Sequence, residues 1–199
     1  VVLAAGEPMR TAQGQFRQKL SLERGASHPD FELPYGPLIP TAYALIAQRH
    51  MHEYGTTSEQ LATVAVTFRN HARLHPRAQM RTPITVEDVL ESPMISSPLH
   101  RLDCSIVSDG AWAIVVTSAA RARNLRQKPV YMLGAGQAHG HMHISFARSL
   151  TEDSACLEAG LAAFGMAGAG LQDMDVLGLY DSFTITVVLQ LEDRGFCRK

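Results

Sequence analysis

A short, almost entirely apolar run at residues 111–117 constrains the fold of this chain more than any other feature. The run reads Ala-Trp-Ala-Ile-Val-Val-Thr, which is typical of a β-strand covered on both faces. Ser118 follows directly and is a typical helix N-cap, so we predict that the strand leads into a helix reaching Leu125. Because such a strand needs a layer on either side of its sheet, the run predicts a layered α/β fold.

Further strands and helices alternate along the chain and favour the same fold class. Apolar runs predict three more strands, at residues 1–6, 129–133 and 175–180. Helical spacing and capping residues predict helices at residues 41–54, 57–72, 85–90, 151–168 and 183–191. The last segment also has β-branched residues typical of a strand, and we assign it to helix because Gly195 would end it well. Residues 7–40 are rich in Gly, Pro and polar groups and are predicted to form a long loop.

Charge and cysteine content exclude several classes of function. The chain has 18 Lys and Arg against 19 Asp and Glu, a net charge of -1, so no basic surface is available for nucleic acid or an anionic membrane. No apolar run approaches the roughly 20 residues needed to cross a bilayer, so no membrane insertion is expected. The three cysteines are far apart and form no CxxC pair, which favours a reducing cytoplasm over a zinc site or disulfides.

Tyr180 is the strongest candidate for a catalytic residue. It stands where the predicted strand at residues 175–180 gives way to the predicted helix at 183–191, and open α/β folds bind ligands at the carboxyl ends of strands. A phenol there can donate a hydrogen bond to an oxyanion or act as a general acid. The structural alternative is a half-buried tyrosine that satisfies a neighbouring group. Asp181 and Ser182 fit better as N-caps of the helix.

A histidine-rich run contains His139, His141 and His143, whose side chains would share one face if the run were extended. Three imidazoles could bind zinc, but glycines make the region a loop and no carboxylate or cysteine is spaced as a fourth ligand. We therefore predict no metal site. The remaining alternatives are imidazoles that contact substrate in a cleft and imidazoles that face solvent.

Three other features suggest chemistry but have commoner structural explanations. Cys104 has only Arg101 nearby to activate its thiol, so close packing is the better explanation. Gly134 and Gly136 follow a predicted strand but lack the third glycine of a dinucleotide-binding motif. Four arginines spaced four residues apart could bind coenzyme A phosphates, although such a pattern more often marks a helix face exposed to solvent. They are Arg69, Arg73, Arg77 and Arg81.

Several segments resemble the thiolase superfamily, in family order along essentially the whole chain. Residues 102–116, with Asp109-Gly110-Ala111 before an apolar run, look like the segment that re-enters the N-terminal half of the thiolase sheet. Residues 51–61 resemble the loop-domain helices of the sterol-carrier-protein-x and lipid-transfer-like branch, and residues 1–9 resemble the strand before that domain. Tyr180-Asp181-Ser182-Phe183 occupies the place of the Asn-Glu-Ala-Phe or His-Asp-Cys-Phe motif of the family.

The resemblance implies an incomplete layered αβαβα fold of the thiolase type with a helical loop-domain insert. Residues 1–10 and 101–127 would belong to the N-terminal half, 11–100 to the loop domain, and 128–199 to the start of the C-terminal half. The nucleophilic cysteine of the family would lie before residue 1, and its catalytic histidine and second cysteine after residue 199. We therefore expect an interior segment of a larger enzyme, inactive when isolated.

The implied function is acyl transfer to coenzyme A, with a carbon–carbon bond made or cleaved next to an acyl-CoA thioester. An alternative is a thiolase-like retro-aldolase that cleaves a β-hydroxyacyl-CoA of the steroid side-chain type, with Tyr180 as acid or base and no covalent cysteine. A third is a non-catalytic fragment or assembly module. The resemblance implies no tightly bound cofactor, an acyl-CoA substrate, and a homodimer or hetero-oligomer.

Overall fold

A computed structural model describes residues 1–8, 10–11, 27–152 and 154–199. Part of the predicted loop at residues 7–40 therefore lies outside the described residues, as does the start of the predicted loop domain. Within them the helices are α1 (Ile39–Tyr54), α2 (Ser58–Leu74), α3 (Val86–Leu90), α4 (Ala119–Ala122), α5 (Ser154–Ala167) and α6 (Thr184–Asp193). The strands are β1 (Val2–Pro8), β2 (Met94–Ser96), β3 (Leu99–His100) and β4 (Asp109–Val115).

The end of α1 and the starts of α2 and α3 lie where their capping residues predict, whereas α1 begins at Ile39, two residues before its predicted start, and α2 continues to Leu74. Gly55 ends α1 in the left-handed conformation, with φ of 73°, which glycine adopts without a side-chain clash. Thr57 and Gln60 form a reciprocal capping box at the start of α2, and Thr85 and Asp88 form another at the start of α3. These local hydrogen bonds confirm the predicted helix starts.

The strands β1 and β4 form an antiparallel two-stranded ribbon, with Val2 opposite Val115 and Pro8 opposite Asp109. Every residue of both strands is exposed, and Trp112 keeps 54% of its surface accessible. The prediction that residues 111–117 are covered on both faces is therefore wrong for the described part of the chain. The apolar composition was interpreted correctly as a strand, but among the described residues no further layer packs on this ribbon.

Two predicted strands, at residues 129–133 and 175–180, are absent from the structure. Both segments are apolar, yet Val130 is 97% exposed and Val176 is 85% exposed. A strand exists only when a neighbour accepts and donates its main-chain hydrogen bonds, and neither segment has such a neighbour among the described residues. The helix predicted from Ser118 to Leu125 is also shorter, because α4 ends at Ala122.

The core lies where α1, α2 and α6 meet the short strand β3. Its buried members are Ala44, Ala47, Leu61, Leu99, Phe183 and Ile185. The ambiguous segment at 183–191 is a helix, as predicted, and two of its apolar side chains, Ile185 and Val187, are buried. Neither Asp181 nor Ser182 caps it, because the N-cap position belongs to Phe183, which offers no side-chain acceptor. Packing therefore fixes this helix more than capping does.

A buried polar contact ties α1 to α6. The His50 Nε2 atom lies 2.8 Å from Glu192 Oε2, and the two side chains are only 1% and 7% exposed. His50 Nδ1 lies 2.7 Å from the hydroxyl of Thr56, so both ring nitrogens have partners. The pair stabilises the packing of α1 on α6, because breaking one partner of a buried pair leaves the other charge or dipole unsatisfied.

Gly134 and Gly136 lie against α5 rather than at a nucleotide. A Cβ atom on Gly136 would overlap the carbonyl oxygen of Ala159 and approach within 3.1 Å of the Cβ of Ala162. Gly134 meets the main chain of Ala163 in the same way. The glycines thus allow the 134–136 segment to lie on an alanine-lined helix face. No helix in the described ranges is long and apolar enough to span a membrane.

Candidate active site

A cavity of about 710 Å³ lies between α1, α6, the loop at residues 139–150 and the start of α5. This volume falls in the range of roughly 300–1,000 Å³ that is usual for small-molecule sites. Its wall combines aromatic, aliphatic, charged and amide side chains, including Tyr43, Ile46, His139, His141, Arg148 and Gln190. The mixture can surround an apolar group and also bind polar atoms.

Two of the three predicted substrate-binding histidines lie on this wall. His139 and His141 line the cavity, and His139 Nε2 lies 2.9 Å from the side-chain amide nitrogen of Gln137. Both residues are exposed, so they are accessible to a ligand. Substrate contact by His139 and His141 stays a prediction that their position favours.

His143 lies apart from the cavity and packs in an aromatic cluster. Its ring centroid is 5.8 Å from that of His28 and 5.5 Å from that of Phe146. Beside it, the Glu32 carboxylate accepts hydrogen bonds from the main-chain N–H groups of Ser145, at 2.7 Å, and His28, at 3.2 Å. Burial alone would raise the pKa of Glu32, but these hydrogen bonds and nearby His143 lower it overall. The position of His143 thus favours a role in holding its loop.

The described residues contain no group of three or more His, Cys, Asp or Glu side chains placed to bind a metal ion. The three histidines of the run are divided between the cavity wall and the aromatic cluster. The spacing that would align three imidazoles on an extended strand is therefore not realised, since residues 139–143 are irregular.

Tyr180 does not end a strand, so this part of the prediction is wrong. Its side chain is 72% exposed and does not line the cavity. Its main chain is bonded instead to Gln190 of α6: the Tyr180 N–H donates to Gln190 Oε1 at 3.2 Å, and Gln190 Nε2 donates to the Tyr180 carbonyl at 2.7 Å. Because Gln190 also lines the cavity, Tyr180 lies beside that wall without facing into it.

The run Tyr180-Asp181-Ser182-Phe183 is joined to the distant segment at residues 103–105. The Ser105 N–H donates to the carbonyl of Ser182 at 2.9 Å, and Cys104 pairs with Phe183 as an isolated antiparallel bridge. The Thr184 hydroxyl donates to the buried carboxylate of Asp103 at 2.9 Å. Two segments that resemble thiolase motifs are therefore in direct contact.

Comparisons with known proteins agree with this arrangement. The family described as Thiolase C-terminal domain-like matches residues 136–199. An acetyl-CoA acetyltransferase of Methanothermobacter thermautotrophicus is 41% identical over 87% of this chain and 45% of its own length. A 17-hydroxy-3-oxo-4-pregnene-20-carboxyl-CoA lyase of Mycobacterium tuberculosis is 39% identical over 96% of this chain and 51% of its own length. The chain belongs to the thiolase superfamily.

Within the thiolase superfamily, the predicted sterol-carrier and lipid-transfer-like branch is confirmed. The sterol carrier protein 2 of Gallus gallus is 26% identical over 84% of this chain and 31% of its own length. The solved Ltp2-ChsH2(DUF35) aldolase aligns with all of this chain and 52% of its own, with 34% identity and a TM-score of 0.81. The predicted incomplete α/β fold of the thiolase type is thereby confirmed. The chain spans about half the length of the acetyltransferase, of the lyase and of the aldolase.

Cys104 lacks the properties of a thiolase nucleophile. Burial first, and the charge of neighbouring Asp103 second, raise the pKa of its thiol from an ordinary 9.0 to about 11. Its Sγ atom lies 3.3 Å from the carbonyl oxygen of His100, where a thiol can donate but a thiolate would be repelled. The structural role predicted for Cys104 is favoured by both observations.

We expect Cys104 to resist alkylation. With a pKa of about 11 instead of 9.0, its thiolate population near pH 8 is about 100-fold smaller than that of an ordinary cysteine. Iodoacetamide labelling at pH 8, followed by mass spectrometry of the Cys104 peptide, should give a rate at least about 100-fold below that of free cysteine. Labelling as fast as free cysteine would contradict the assignment, and Cys104→Ser should leave catalysis within about 3-fold of wild type.

Sequence reasoning missed Gln190 and the pair His50 and Glu192. Gln190 follows an apolar helical stretch, and nothing in the local pattern indicates that its amide bonds to a residue ten positions earlier. His50 lies on the apolar face of α1 beside Ala47, a placement that could have indicated a buried histidine in need of a polar partner. The partner itself, 142 residues away, had no local signal.

Two of the arginines considered for coenzyme A phosphates are used within the fold. Arg69 donates from Nη1 to the carbonyl of Thr82 at 2.8 Å. Arg81 reaches the carbonyls of Pro76, at 3.4 Å, and Arg73, at 3.5 Å. These bonds tie the loop after α2 back to that helix, which leaves the idea of a phosphate site without support from Arg69 or Arg81.

Proposed function

We propose that this chain forms part of an enzyme that cleaves a carbon–carbon bond next to the carbonyl of an acyl-CoA by a retro-aldol reaction. The observation that carries the proposal is the similarity, along nearly the whole chain, to an acyl-CoA lyase and to a solved aldolase. The presence of Tyr180 at the family position of Asn or His supports the same assignment, since a phenol can exchange a proton with a substrate hydroxyl.

In the proposed reaction the substrate is a β-hydroxyacyl-CoA. A base removes the proton of the β-hydroxyl, the oxygen forms a carbonyl with Cβ, and the Cα–Cβ bond breaks. Its electron pair forms the enolate of the shortened acyl-CoA, which is then protonated at Cα. We assign the proton exchange at the hydroxyl to Tyr180, and contacts with the bound substrate to His139 and His141 on the cavity wall. No tightly bound cofactor is needed for this sequence of steps.

Acyl transfer to coenzyme A is the second candidate, favoured by the identity to an acetyl-CoA acetyltransferase. That chemistry needs a thiolate to attack the thioester. Cys104 is unsuited to this role because its pKa is raised to about 11, and the family resemblance implies a nucleophilic cysteine in a part of the full-length protein outside this chain. A third candidate, a non-catalytic assembly module, is favoured by the exposed apolar ribbon of β1 and β4.

We further propose a hetero-oligomer with a protein of the DUF35 kind, because that is the partner in the name of the similar aldolase. A homodimer remains the alternative. The division into residues 1–10 with 101–127, 11–100 and 128–199 is likewise proposed, as is a cytoplasmic location, for which three free cysteines offer support.

The test is a comparison of two substrate sets with the full-length protein, alone and with a DUF35 partner. We expect a β-hydroxyacyl-CoA with a branched β-carbon to be consumed without free coenzyme A, yielding one ketone and one shortened acyl-CoA per turnover. Turnover of a β-ketoacyl-CoA only when free coenzyme A is added would instead establish acyl transfer. Activity with neither set would favour the assembly module.

A further inference from the structure

The amide of Gln190 bonds to both polar groups of the Tyr180 main chain. Oε1 accepts from the Tyr180 N–H at 3.2 Å, and Nε2 donates to the Tyr180 carbonyl at 2.7 Å. Nε2 also donates to the carbonyl of Thr186 at 3.0 Å, which fixes the amide on its own helix. The side-chain amide thus supplies a donor and an acceptor to the main chain of Tyr180, in a segment that pairs with no strand among the described residues.

The helix that carries Gln190 is itself held at two points. Near its start, the Thr184 hydroxyl donates to buried Asp103 at 2.9 Å. Near its end, Glu192 contacts buried His50 at 2.8 Å. Gln190 therefore fixes an otherwise irregular segment to a well-anchored helix. The same side chain lines the cavity, so the fixed point lies beside it.

We propose that Gln190 is the positioning residue for Tyr180. By holding the main chain of Tyr180, it fixes the point from which the phenol side chain extends relative to the substrate cavity. The inference rests on the proposed function, in which Tyr180 exchanges a proton with substrate. Gln190 acts through Tyr180, so its loss lowers kcat by misplacing the phenol and changes KM little.

A pair of variants of the full-length protein, one at Gln190 and one control, tests this role with the β-hydroxyacyl-CoA substrate. Gln190→Leu removes both bonds at similar volume and should lower kcat about 10-fold while KM stays within about 3-fold. Gln172→Leu, an exposed glutamine outside the cavity, is the matched control and should match wild type. Circular dichroism and thermal melting establish that each variant is folded.

Gln190→Glu gives a signature that loss of packing would not produce. As a carboxylate it keeps the acceptor for the Tyr180 N–H but repels the Tyr180 carbonyl. When protonated, it offers one O–H donor that can bind the Tyr180 carbonyl, and the protonated fraction grows as the pH falls towards about 4.3, the pKa of an ordinary glutamate. The ratio of variant to wild-type kcat should therefore rise as the pH falls from 7 towards 5. A ratio that stays flat or falls would overturn the inference.

A double variant separates this inference from the proposed function. If Gln190 acts through the phenol, Gln190→Leu should cause no further loss of kcat in a Tyr180→Phe background, whereas independent effects would multiply. A multiplied loss, or wild-type kcat in Gln190→Leu beside a strong loss in Tyr180→Phe, overturns the positioning role and leaves the proposed function intact. Wild-type kcat in Tyr180→Phe alone removes Tyr180 from the reaction and overturns the inference with it, whereas the retro-aldol reaction itself is decided by the substrate comparison.

Discussion

Tyr180→Phe is expected to lower kcat for cleavage of a β-hydroxyacyl-CoA by at least about 100-fold, within the 10²–10⁴-fold usual for loss of a general acid or base. The substitution removes only the phenolic oxygen. Because the substitution keeps the aromatic ring and removes a group that acts in the proton transfer, we expect KM to change by less than about 3-fold. Initial rates of ketone release at saturating substrate measure the effect.

Tyr35→Phe is the matched control for this experiment. Tyr35 is also exposed, at 86%, and lies outside the residues that line the cavity. It should retain wild-type kcat and thermal stability. A kcat for Tyr180→Phe within about 3-fold of wild type would remove Tyr180 from the reaction and leave the acid or base to be found elsewhere in the full-length protein.

Gly136→Ala is expected to lower the free energy of unfolding by about 3 kcal/mol, the upper end of the usual range for overpacking. The added Cβ would overlap the carbonyl oxygen of Ala159 and lie 2.9 Å from its carbonyl carbon. These atoms belong to the main chain of α5 and cannot move aside without displacing the helix. Chemical denaturation of the full-length protein, monitored by circular dichroism, measures the change.

Gly165→Ala, within α5 itself, provides the opposite case. A Cβ at Gly165 meets nothing within 4 Å, so the change should stabilise the helix by roughly 0.5–1 kcal/mol or leave it unchanged. Equal effects of Gly136→Ala and Gly165→Ala would contradict the close approach of residues 134–136 to α5. A dinucleotide-binding role would then again be an alternative explanation for Gly134 and Gly136.

The features that the sequence predicted well depend on local interactions. The starts of α2 and α3 follow from Thr57 with Gln60 and from Thr85 with Asp88, each pair within three residues. The end of α1 follows from Gly55. Short-range hydrogen bonds of this kind depend on residues close together in the sequence, so pattern alone was sufficient to place these three helix ends.

The failed strand predictions concern interactions with distant segments. The apolar pattern at residues 129–133 and 175–180 is typical of strands, but pairing requires a second strand that the pattern cannot supply. In the described residues no such strand is present, and the apolar side chains of both segments are largely exposed. The same applies to β4: its apolar composition predicted a strand correctly, but no layer covers it among the described residues.

The candidate site was predicted in part. The resemblance indicated Tyr180, and the histidine run indicated a cleft that His139 and His141 do line. The sequence could not separate His143 from the other two, because its contacts come from His28 and Phe146 across an irregular loop. Gln190 was not predicted, because a side-chain amide that binds the main chain of a distant residue does not change the hydrophobic periodicity of the sequence.

The contact between His50 and Glu192 can form only late while this chain is made on the ribosome. These residues are 142 positions apart, so at translation rates of about 5–20 residues per second the histidine is made roughly 7–30 s before its partner. During that interval the face of α1 with Ala44, Ala47 and His50 has no α6 to cover it. The nascent chain therefore offers an apolar surface to chaperones until α6 has left the exit tunnel.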